Sequence, residues 1–403
     1  MWSTALLLLF LAFQTSPYDL GVKALDDKRY DAAVENFTEA AAADPKDFTA
    51  FFNLALAYSL EGKDAEAVPG YKKALELKSD LYQANLNLGI SLLRLKQAAE
   101  AVPYLTSAVS EKPKEYRPNY YLGAALLGSG DFAKAQQAYS AALEIDPKSP
   151  DSELGLARAL EKLNQLSEAA PHFQKAAALN PAYRNDLLEL ASAYEAQNQP
   201  QEAMSIYEQF PENPGAQERL GALLIAAGRA ADAVPHLEIA VARSPTAANR
   251  AALATAYVKS NQAAKALPVA EALLAANPND FEVRMLHGRI IRDQRKFLNA
   301  AQDFRQAIAI KPEDAEAWSE LSVSLVMAED YTNALAALDK LAALHAEKPG
   351  HVYLRAIILD KIDDRKGALA SYQKFLSMSN GQSPDEEFKA RQRAKLLERE
   401  LHR

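Results

Sequence analysis

The sequence predicts an all-α fold, a solenoid of about eleven helix-turn-helix repeats that ends in a capping helix. Two observations carry this prediction. In the stretch from Tyr116 to Pro147, apolar residues recur at helical spacing in two short segments that a Gly-Ser-Gly turn separates. In addition, one small residue returns about every 34 positions along the chain. Neither helix of such a pair can bury its apolar face alone, so neighbouring repeats must stack.

The helix pair in this stretch shows the pattern that each repeat follows. The first helix places Leu122 and Leu126 on one face. Asp131 follows the turn and is the expected N-cap of the second helix, which carries Tyr139 on its apolar side. Pro147 stops the second helix, because proline disfavours a helical conformation in the residue before it.

The repeated small residue forms a ladder of alanines in the second helices. Its members are Ala33, Ala67, Ala101, Ala135, Ala169, Ala203, Ala233, Ala266, Ala300, Ala334 and Ala368. Three other features recur in phase with this ladder. They are a Leu-Gly or Leu-Ala pair in the first helix, an aromatic residue four positions after the ladder alanine, and a proline after the second helix. Small residues let two helix backbones approach closely. A larger side chain there would overpack the contact at a cost of about 1–3 kcal/mol.

This period, with its order of Leu-Gly, Ala, aromatic residue and Pro, resembles the tetratricopeptide repeat (TPR). The resemblance covers residues 15–382, and it implies a right-handed superhelix whose first helices line the concave side. The expected units are approximately 15–47, 48–81, 82–115, 116–149, 150–183, 184–213, 214–246, 247–280, 281–314, 315–348 and 349–382.

The turn inside each helix pair falls at one position per repeat. These positions are Lys28, Gly62, Lys96, Gly130, Asn164, Asn198, Gly228, Asn261, Arg295, Glu329 and Asp363. Six of them hold Gly or Asn, the residues that best tolerate the left-handed backbone conformation at the end of a helix. We therefore expect this turn geometry to be favoured but not uniform.

The sixth repeat is irregular. Its second helix runs into Pro211 and Pro214, and the next unit starts four residues early. A shortened helix changes the angle between repeats, so we expect a bend or seam near Phe210 to Gly215. This seam is either a functional hinge or the trace of a neutral deletion.

The last stretch, residues 383–403, is predicted to be a capping helix. Ser383 is its expected N-cap, Pro384 its first residue and Glu386 the partner that completes a capping box. The apolar side chains expected to cover the last repeat are Phe388, Leu396, Leu397 and Leu401. A solenoid needs such a polar-faced end, and a capped end favours a monomer.

Composition restricts the partner class and the chemistry. Lys and Arg number 45 against 53 Asp and Glu, a formal net charge of -8, and no basic run interleaved with aromatics follows the chain. This balance argues against nucleic acid as a partner. The absence of cysteine excludes disulfides, cysteine-ligated zinc, thiol catalysis and a lipidated N-terminal cysteine. It also fits an oxidising compartment without proving one.

The N-terminal segment, residues 1–14, contains an unbroken apolar run from Ala5 to Phe13. The run is too short for a membrane-spanning helix of about 20 residues and has the length of a signal-peptide core. No Lys or Arg precedes it, and the cleavage site after it is poor. The segment is therefore a cleaved signal peptide, a retained membrane anchor or an apolar helix that caps the first repeat. We expect a bacterial exported protein, periplasmic or secreted, that is either free or held to the membrane through residues 1–14.

Motifs for catalysis are absent from the sequence. The six histidines show neither an HExxH pair nor a zinc-ligand spacing, and the glycines from Gly123 to Gly130 lack the lysine of a phosphate-binding loop. The repeats leave no room for a fused catalytic domain. We therefore expect no enzyme activity, no metal and no small-molecule cofactor. His172 and His236 share one repeat position on second helices and are expected at the surface.

The remaining candidate site is a groove along the first helices. Its predicted residues are Phe52, Asn53, Leu56, Asn87, Ile90, Arg94, Arg117, Tyr120 and Tyr121. Aromatic rings, amides and arginines suit the binding of an extended peptide or a partner helix. The alternative is that the asparagines are ordinary repeat residues and that the tyrosines pack between helices.

Two specialised ligands of TPR relatives are not supported. The chaperone-binding relatives hold a C-terminal carboxylate with a Lys and Asn clamp, but Tyr18 and Val22 stand at the corresponding positions of the first repeat. The asparagine ladder of the sugar-transferase relatives also breaks, because Tyr121 follows Asn53 and Asn87.

The leading hypothesis is a non-catalytic scaffold that binds a peptide or partner protein in this groove, in the bacterial cell envelope. The second hypothesis is a membrane-tethered assembly or regulatory factor whose leader stays uncleaved. The third is an accessory subunit of an enzyme complex or an unrecognised hydrolase. The groove indicates a class of ligand and does not identify the partner.

Overall fold

The structure, a computed structural model, describes residues 16–402. All regular secondary structure in this range is helical, with 23 α-helices and one 3-10 helix. The predicted all-α solenoid of helix-turn-helix repeats is confirmed. The predicted leader lies outside the described residues. By their contacts the residues form two compact units that divide between Ala203 and Met204, inside the sixth helix pair.

The first unit contains five complete helix pairs and the start of the sixth. Its helices are α1 (Pro17–Asp26), α2 (Tyr30–Ala43), α3 (Phe48–Leu60), α4 (Asp64–Leu77), α5 (Tyr82–Arg94), α6 (Ala98–Glu111), α7 (Tyr116–Ser129), α8 (Phe132–Ile145), α9 (Pro150–Lys162), α10 (Leu166–Leu179), the 3-10 helix η1 (Pro181–Asp186) and α11 (Leu187–Ala196). The division between the units falls within α12 (Pro200–Tyr207).

The second unit contains five further helix pairs and the terminal helix. Its helices are α13 (Pro214–Ala226), α14 (Ala230–Arg243), α15 (Ala247–Lys259), α16 (Ala263–Ala276), α17 (Phe281–Asp293), α18 (Phe297–Ile310), α19 (Ala315–Met327), α20 (Tyr331–Ala343), α21 (Pro349–Lys361), α22 (Arg365–Ser379) and α23 (Pro384–Leu401). None of the helices in residues 16–402 is both long and apolar enough to cross a membrane.

Close contact between the two helices of a pair depends on the small residues. All eleven ladder alanines have 0% exposure. In the fourth repeat, a Cβ added at Gly123 would lie 2.9 Å from ring atoms of Tyr139, so the tyrosine ring fills the space that the missing side chain leaves. The ladder therefore has the packing role that its residue types predict.

The turn inside each pair is uniform, contrary to the expectation from residue types. All eleven turn residues have a positive φ, between 57° and 88°. The following amide then reaches back to the helix end, as in the 2.8 Å hydrogen bond from the Gln97 amide to the Leu92 carbonyl. Satisfying these terminal carbonyls favours the left-handed turn even at Lys96 or Arg295, where a side chain opposes it.

The sixth pair departs from the pattern on both of its helices. The 3-10 helix Pro181–Asp186 precedes α11, a feature that the sequence does not predict. Helix α12 has 8 residues, whereas the second helices of the other pairs have 13 to 15. The shortened helix is thus confirmed, and the bend expected near Phe210 to Gly215 stays a prediction.

Helix α23 packs on the last repeat through only one of the four predicted side chains, Leu397. Leu397 is fully buried with Ala390 and Ala394, while Phe388 is 62% exposed. Leu396 and Leu401 are also exposed. Small alanines on the buried face let α23 approach the last repeat closely, which turns the larger apolar side chains outward.

The predicted capping box at the start of α23 does not form. The Ser383 side chain makes no capping hydrogen bond. Instead the buried carboxylate of Glu387, one residue beyond the predicted Glu386, accepts a 2.6 Å hydrogen bond from the Gly381 amide.

Candidate functional site

The first helices of successive pairs lie side by side in the first unit, where α3, α5, α7 and α9 contact one another in order. We call the exposed and half-buried side chains of α3, α5, α7, α9 and α11 the first-helix surface. All nine predicted groove residues belong to these helices. Arg94 and Arg117 are exposed, and Phe52, Asn53, Leu56, Asn87, Tyr120 and Tyr121 are half-buried.

The ninth residue, Ile90, is not at the surface. Its side chain is 7% exposed and belongs to the core cluster of the second and third repeats. Helical periodicity places it on the same face as Asn87, but the neighbouring repeats cover it. Ile90 is therefore a packing residue, and we remove it from the candidate site.

Part of the predicted set is already engaged within the fold. The Asn53 amide donates a 2.9 Å hydrogen bond to the Tyr18 hydroxyl of the first repeat. The Phe52 ring packs against Tyr71, with 5.9 Å between the ring centroids. These contacts hold the two side chains in place and leave one side of each accessible, since both are only half-buried.

An aromatic cluster lies on α7. The Tyr120 ring stacks on Tyr116 with 5.7 Å between centroids and 11° between the ring planes. It also meets Tyr121 edge-on at 5.1 Å and Tyr139 at 6.1 Å. Such stacked and edge-on geometries are the favourable ones for aromatic pairs. The cluster is therefore a rigid surface that is preorganised before any ligand arrives.

The base of this cluster is held by hydroxyl contacts between repeats. The Tyr116 hydroxyl lies 2.6 Å from the hydroxyl of Ser149, the N-cap of α9, and 3.1 Å from that of Ser152 in the first turn of α9. Burial raises the pKa of Tyr120 to about 12, and the nearby charge of Asp151 adds to this effect. The Tyr120 phenol is consequently neutral at any physiological pH and keeps its proton for donation.

Arg117 is the free cation of this region. Its guanidinium carbon lies 6.0 Å from the Tyr121 ring centroid, within cation–π range. Among the described residues, its side chain has no ion pair and no hydrogen bond. Arg94 is only weakly held, because its nearest carboxylate oxygen, on Asp64, is 3.5 Å away.

The neighbouring arginine on α9 is in the opposite situation. Arg158 lies 2.7 Å from Asp186 and 3.1 Å from Glu189, both in the next repeat. Arg158 and Glu189 line a groove of about 630 Å³. In the second unit Arg289, at the equivalent repeat position, pairs likewise with Glu320 at 2.8 Å. Arginine at this position therefore bridges repeats and is neutralised by them.

A buried polar contact inside the repeats was missed from the sequence. Glu153 is 1% exposed, and its carboxylate lies 2.6 Å from His172 Nδ1 and 2.5 Å from Lys175 Nζ. The seventh repeat has Gln217 and His236 at the same two positions, 2.7 Å apart. Both histidines are thus half-buried hydrogen-bonding residues, and the expectation of surface histidines is wrong. Aligning the repeats on their ladder alanines would have shown the recurrent pair.

A second groove lies between neighbouring second helices. In the first unit α6, α7 and α8 line a groove of about 610 Å³, which we call the second-helix groove; it includes Val102, Thr106, Leu122, Lys134 and Gln137. The second unit has a smaller groove of about 320 Å³ at equivalent repeat positions, lined by Arg305, Trp318 and Asn333 among others. These grooves follow from the alanine-rich second helices and recur with the repeat.

No metal-binding constellation is present in residues 16–402, where no three His, Asp or Glu side chains could hold one ion. The polar groups of the first-helix surface are amides, hydroxyls and guanidinium groups. Such groups can bind a backbone or a carboxylate, and the aromatic cluster can cover apolar side chains.

Two family models described as tetratricopeptide repeat match the chain. One matches residues 126–171 and 224–290, and the other matches residues 18–82, 154–216 and 285–352, so that together they cover more than half of the sequence. A search of curated proteins finds no significant match.

The chain is also similar to solved structures of repeat proteins. One is YrrB, described as a TPR protein with an unusual peptide-binding site, at 21% identity over 45% of this chain and 90% of that one, with a TM-score of 0.40. Another is MamA 41-end from Desulfovibrio magneticus RS-1, at 25% identity over 41% of this chain and 94% of that one, with a TM-score of 0.39. The chain belongs to the tetratricopeptide-repeat family, whose domains bind protein or peptide partners and are generally non-catalytic.

Proposed function

We propose that this protein is a non-catalytic scaffold that binds a peptide, or an extended segment of a partner protein, on the first-helix surface of its first unit. The observation that carries this proposal is the aromatic cluster of α7, where Tyr120 and Tyr121 remain half-buried beside the unpaired Arg117. Tyrosine and arginine are the residues that most often dominate binding energy at protein interfaces. The tyrosine rings are packed in place before binding, so they lose little conformational entropy on association.

A capture experiment tests this proposal. The full-length protein with Arg94→Ala, Tyr120→Ala and Tyr121→Ala is used as bait in extracts of the native cell, and bound proteins are identified by mass spectrometry. We expect the specific partner to be lost while the helical circular dichroism signal is unchanged. The control variant carries Thr106→Ala and Gln137→Ala in the second-helix groove and keeps the partner.

Unchanged capture by the first-helix variant, with loss in the control, would refute the assignment of the surface. If the triple variant has a reduced helical signal, the capture is repeated with Tyr121→Ala alone. This variant should keep its fold, because Tyr121 lacks the contact with the buried Tyr139 that Tyr120 makes.

The proposal places the protein in the bacterial cell envelope and takes it as a monomer. Its support for export is the apolar run from Ala5 to Phe13 together with the absence of cysteine. The same run favours a second candidate, a membrane-tethered assembly or regulatory factor that keeps this segment as an anchor. N-terminal sequencing of the protein from the native cell separates the two: a chain starting near Thr15 indicates a cleaved signal, and a chain starting at Met1 indicates retention.

An accessory subunit of an enzyme complex remains a third reading of the same surface. In that case the capture experiment would return an enzyme in stoichiometric amount. The purified protein alone is expected to be inert, because binding on a rigid helical surface supplies no nucleophile or general base.

A further inference from the structure

The first-helix surface has an unusual charge pattern at its centre. Helices α3, α5 and α7 together contain no Asp or Glu, and their only charged residues are Arg94 and Arg117. The chain as a whole has an acidic balance of -8, so this is a positively charged region on an acidic protein. Long-range attraction therefore favours an anionic group at this place and not at the neighbouring helices.

The two arginines have unused capacity for an anion. Among the described residues no carboxylate lies within ion-pair distance of Arg117, and the nearby Glu115 is engaged by Lys112 and Tyr82. Arg94 is 3.5 Å from its nearest carboxylate oxygen. Arg158 in the next repeat is, by contrast, fully paired, because two carboxylates lie 2.7 and 3.1 Å from its guanidinium group. A guanidinium beside aromatic rings binds a carboxylate by two parallel hydrogen bonds, and the apolar surroundings strengthen them.

The borders of this region are acidic. On one side α1 carries two carboxylates against Lys23, and on the other α9 and α11 carry five carboxylates against Arg158 and Lys162, so both borders have a net negative charge. A ligand with many negative charges, such as a nucleic acid or a run of acidic residues, would meet repulsion at both borders. A ligand with a single negative charge at its centre would not.

The space beside the arginines is apolar. Phe52 and Leu56 on α3 and the tyrosines of α7 lie half-buried on either side of α5. Packed helices are about 8–10 Å apart, so three of them span roughly 20–30 Å, the length of about eight extended residues. A peptide of that length can place apolar side chains beside Phe52 and Leu56 on α3 and still reach Arg117 on α7.

From this juxtaposition we infer that the first-helix surface binds an extended peptide segment with one internal acidic residue, whose carboxylate pairs with Arg117, flanked by apolar residues. The inference rests on the proposed function and specifies its ligand. An internal acidic side chain fits better than a chain terminus, because half-buried rings lie on both sides of Arg117. Tyr121 packs toward α5, and Tyr120 with Tyr116 lies toward α9, so a terminal carboxylate would use only one side.

The test uses synthetic peptide libraries as probes on the immobilised full-length protein. Each library has about ten residues, blocked ends and mixed composition, with Glu, Gln or Lys fixed at the centre. Two further probes are a library with a free C-terminal carboxylate and no internal acid, and an oligothymidine of similar length. We expect the Glu library to be retained about tenfold better than the Gln library, the change that one charge-assisted hydrogen bond produces.

Variants assign the preference to one side chain. Arg117→Gln should remove the preference for Glu over Gln, and Arg117→Lys should keep most of it, because the cation remains. Lys148→Gln is the matched control: it removes the same charge from an exposed lysine in the turn before α9 and should leave the preference intact.

The outcomes separate this inference from the proposed function. Equal retention of the Glu and Gln libraries, a preference that survives Arg117→Gln, or stronger retention of the free-terminus library or the oligothymidine would overturn the inference. If no peptide library is retained by any variant, the proposed function fails together with it.

Discussion

Gly155 offers a sharp test of how the repeats pack. A Cβ added there would lie 2.3 Å from Cζ of Tyr139 in the preceding repeat, and on the opposite side a Cβ at Gly123 would lie 2.9 Å from the same ring. The ring is 3% exposed and confined between two glycines, so it cannot move aside. For Gly155→Ala we expect overpacking to cost about 1–3 kcal/mol, against a gain of about 1 kcal/mol in helix propensity. The net loss of stability is then up to about 2 kcal/mol.

Urea unfolding followed by circular dichroism measures this change. The control is Gly350→Ala, because a Cβ at Gly350 meets nothing within 4 Å. We expect a lower unfolding midpoint for Gly155→Ala and an equal or higher one for the control. Because Tyr139 contacts Tyr120, Gly155→Ala should also weaken peptide binding. A Gly155→Ala protein as stable as the control would refute the close-packing argument.

Three further predictions concern turns, buried polar contacts and pH. Lys96→Gly should raise the free energy of unfolding by about 0.5–1 kcal/mol. The left-handed turn strains a residue with a side chain by roughly 1–2 kcal/mol, while glycine loses about 0.5–1 kcal/mol in entropy on folding. Gly62→Ala should lower the free energy of unfolding, and urea midpoints equal to that of the unchanged protein would contradict the strain. Glu153→Gln should cost less than about 1 kcal/mol, since another repeat uses glutamine at that position. Glu153→Leu should cost about 1–3 kcal/mol, because it removes the acceptor that pairs with both His172 and Lys175. Equal losses in urea unfolding would contradict this. Burial lowers the pKa of His236 and of His351 below 6.5, so protonation of these side chains favours the unfolded chain. The free energy of unfolding should therefore be highest above pH 6.5 and fall as the pH drops through the folded-state pKa values. A protein with both His236→Gln and His351→Gln should lose less stability between about pH 7.5 and 5, and an identical loss would contradict this.

The repeat architecture could be predicted from the sequence because the same pattern of residue types recurs about eleven times along the chain. A ladder alanine such as Ala135 is uninformative alone, but its recurrence establishes the period and hence the helix pairing. The turn residues could be located for the same reason. Their uniform geometry could not be predicted, because residue preference at Lys96 opposes it and the hydrogen bonds of the helix end outweigh that preference.

The candidate site could be predicted only in part. Helical phase identifies the face of each first helix, and it placed Arg117, Tyr120 and Tyr121 together correctly. It cannot say how far the next repeat covers a side chain, which is why Ile90 was assigned to the surface and is buried. The same limit applies to Phe388, where the choice between two helix faces depends on the partner surface.

Site-specific photo-crosslinking tests the central claim most directly. A photoreactive phenylalanine derivative is placed at Tyr121 or Asn87 on the first-helix surface, and at Thr106 or Gln137 in the second-helix groove, all accessible positions of the first unit. We expect the partner, or the retained Glu peptide library, to crosslink from the first two positions and not from the last two. Crosslinking from Thr106 and Gln137 alone would contradict it.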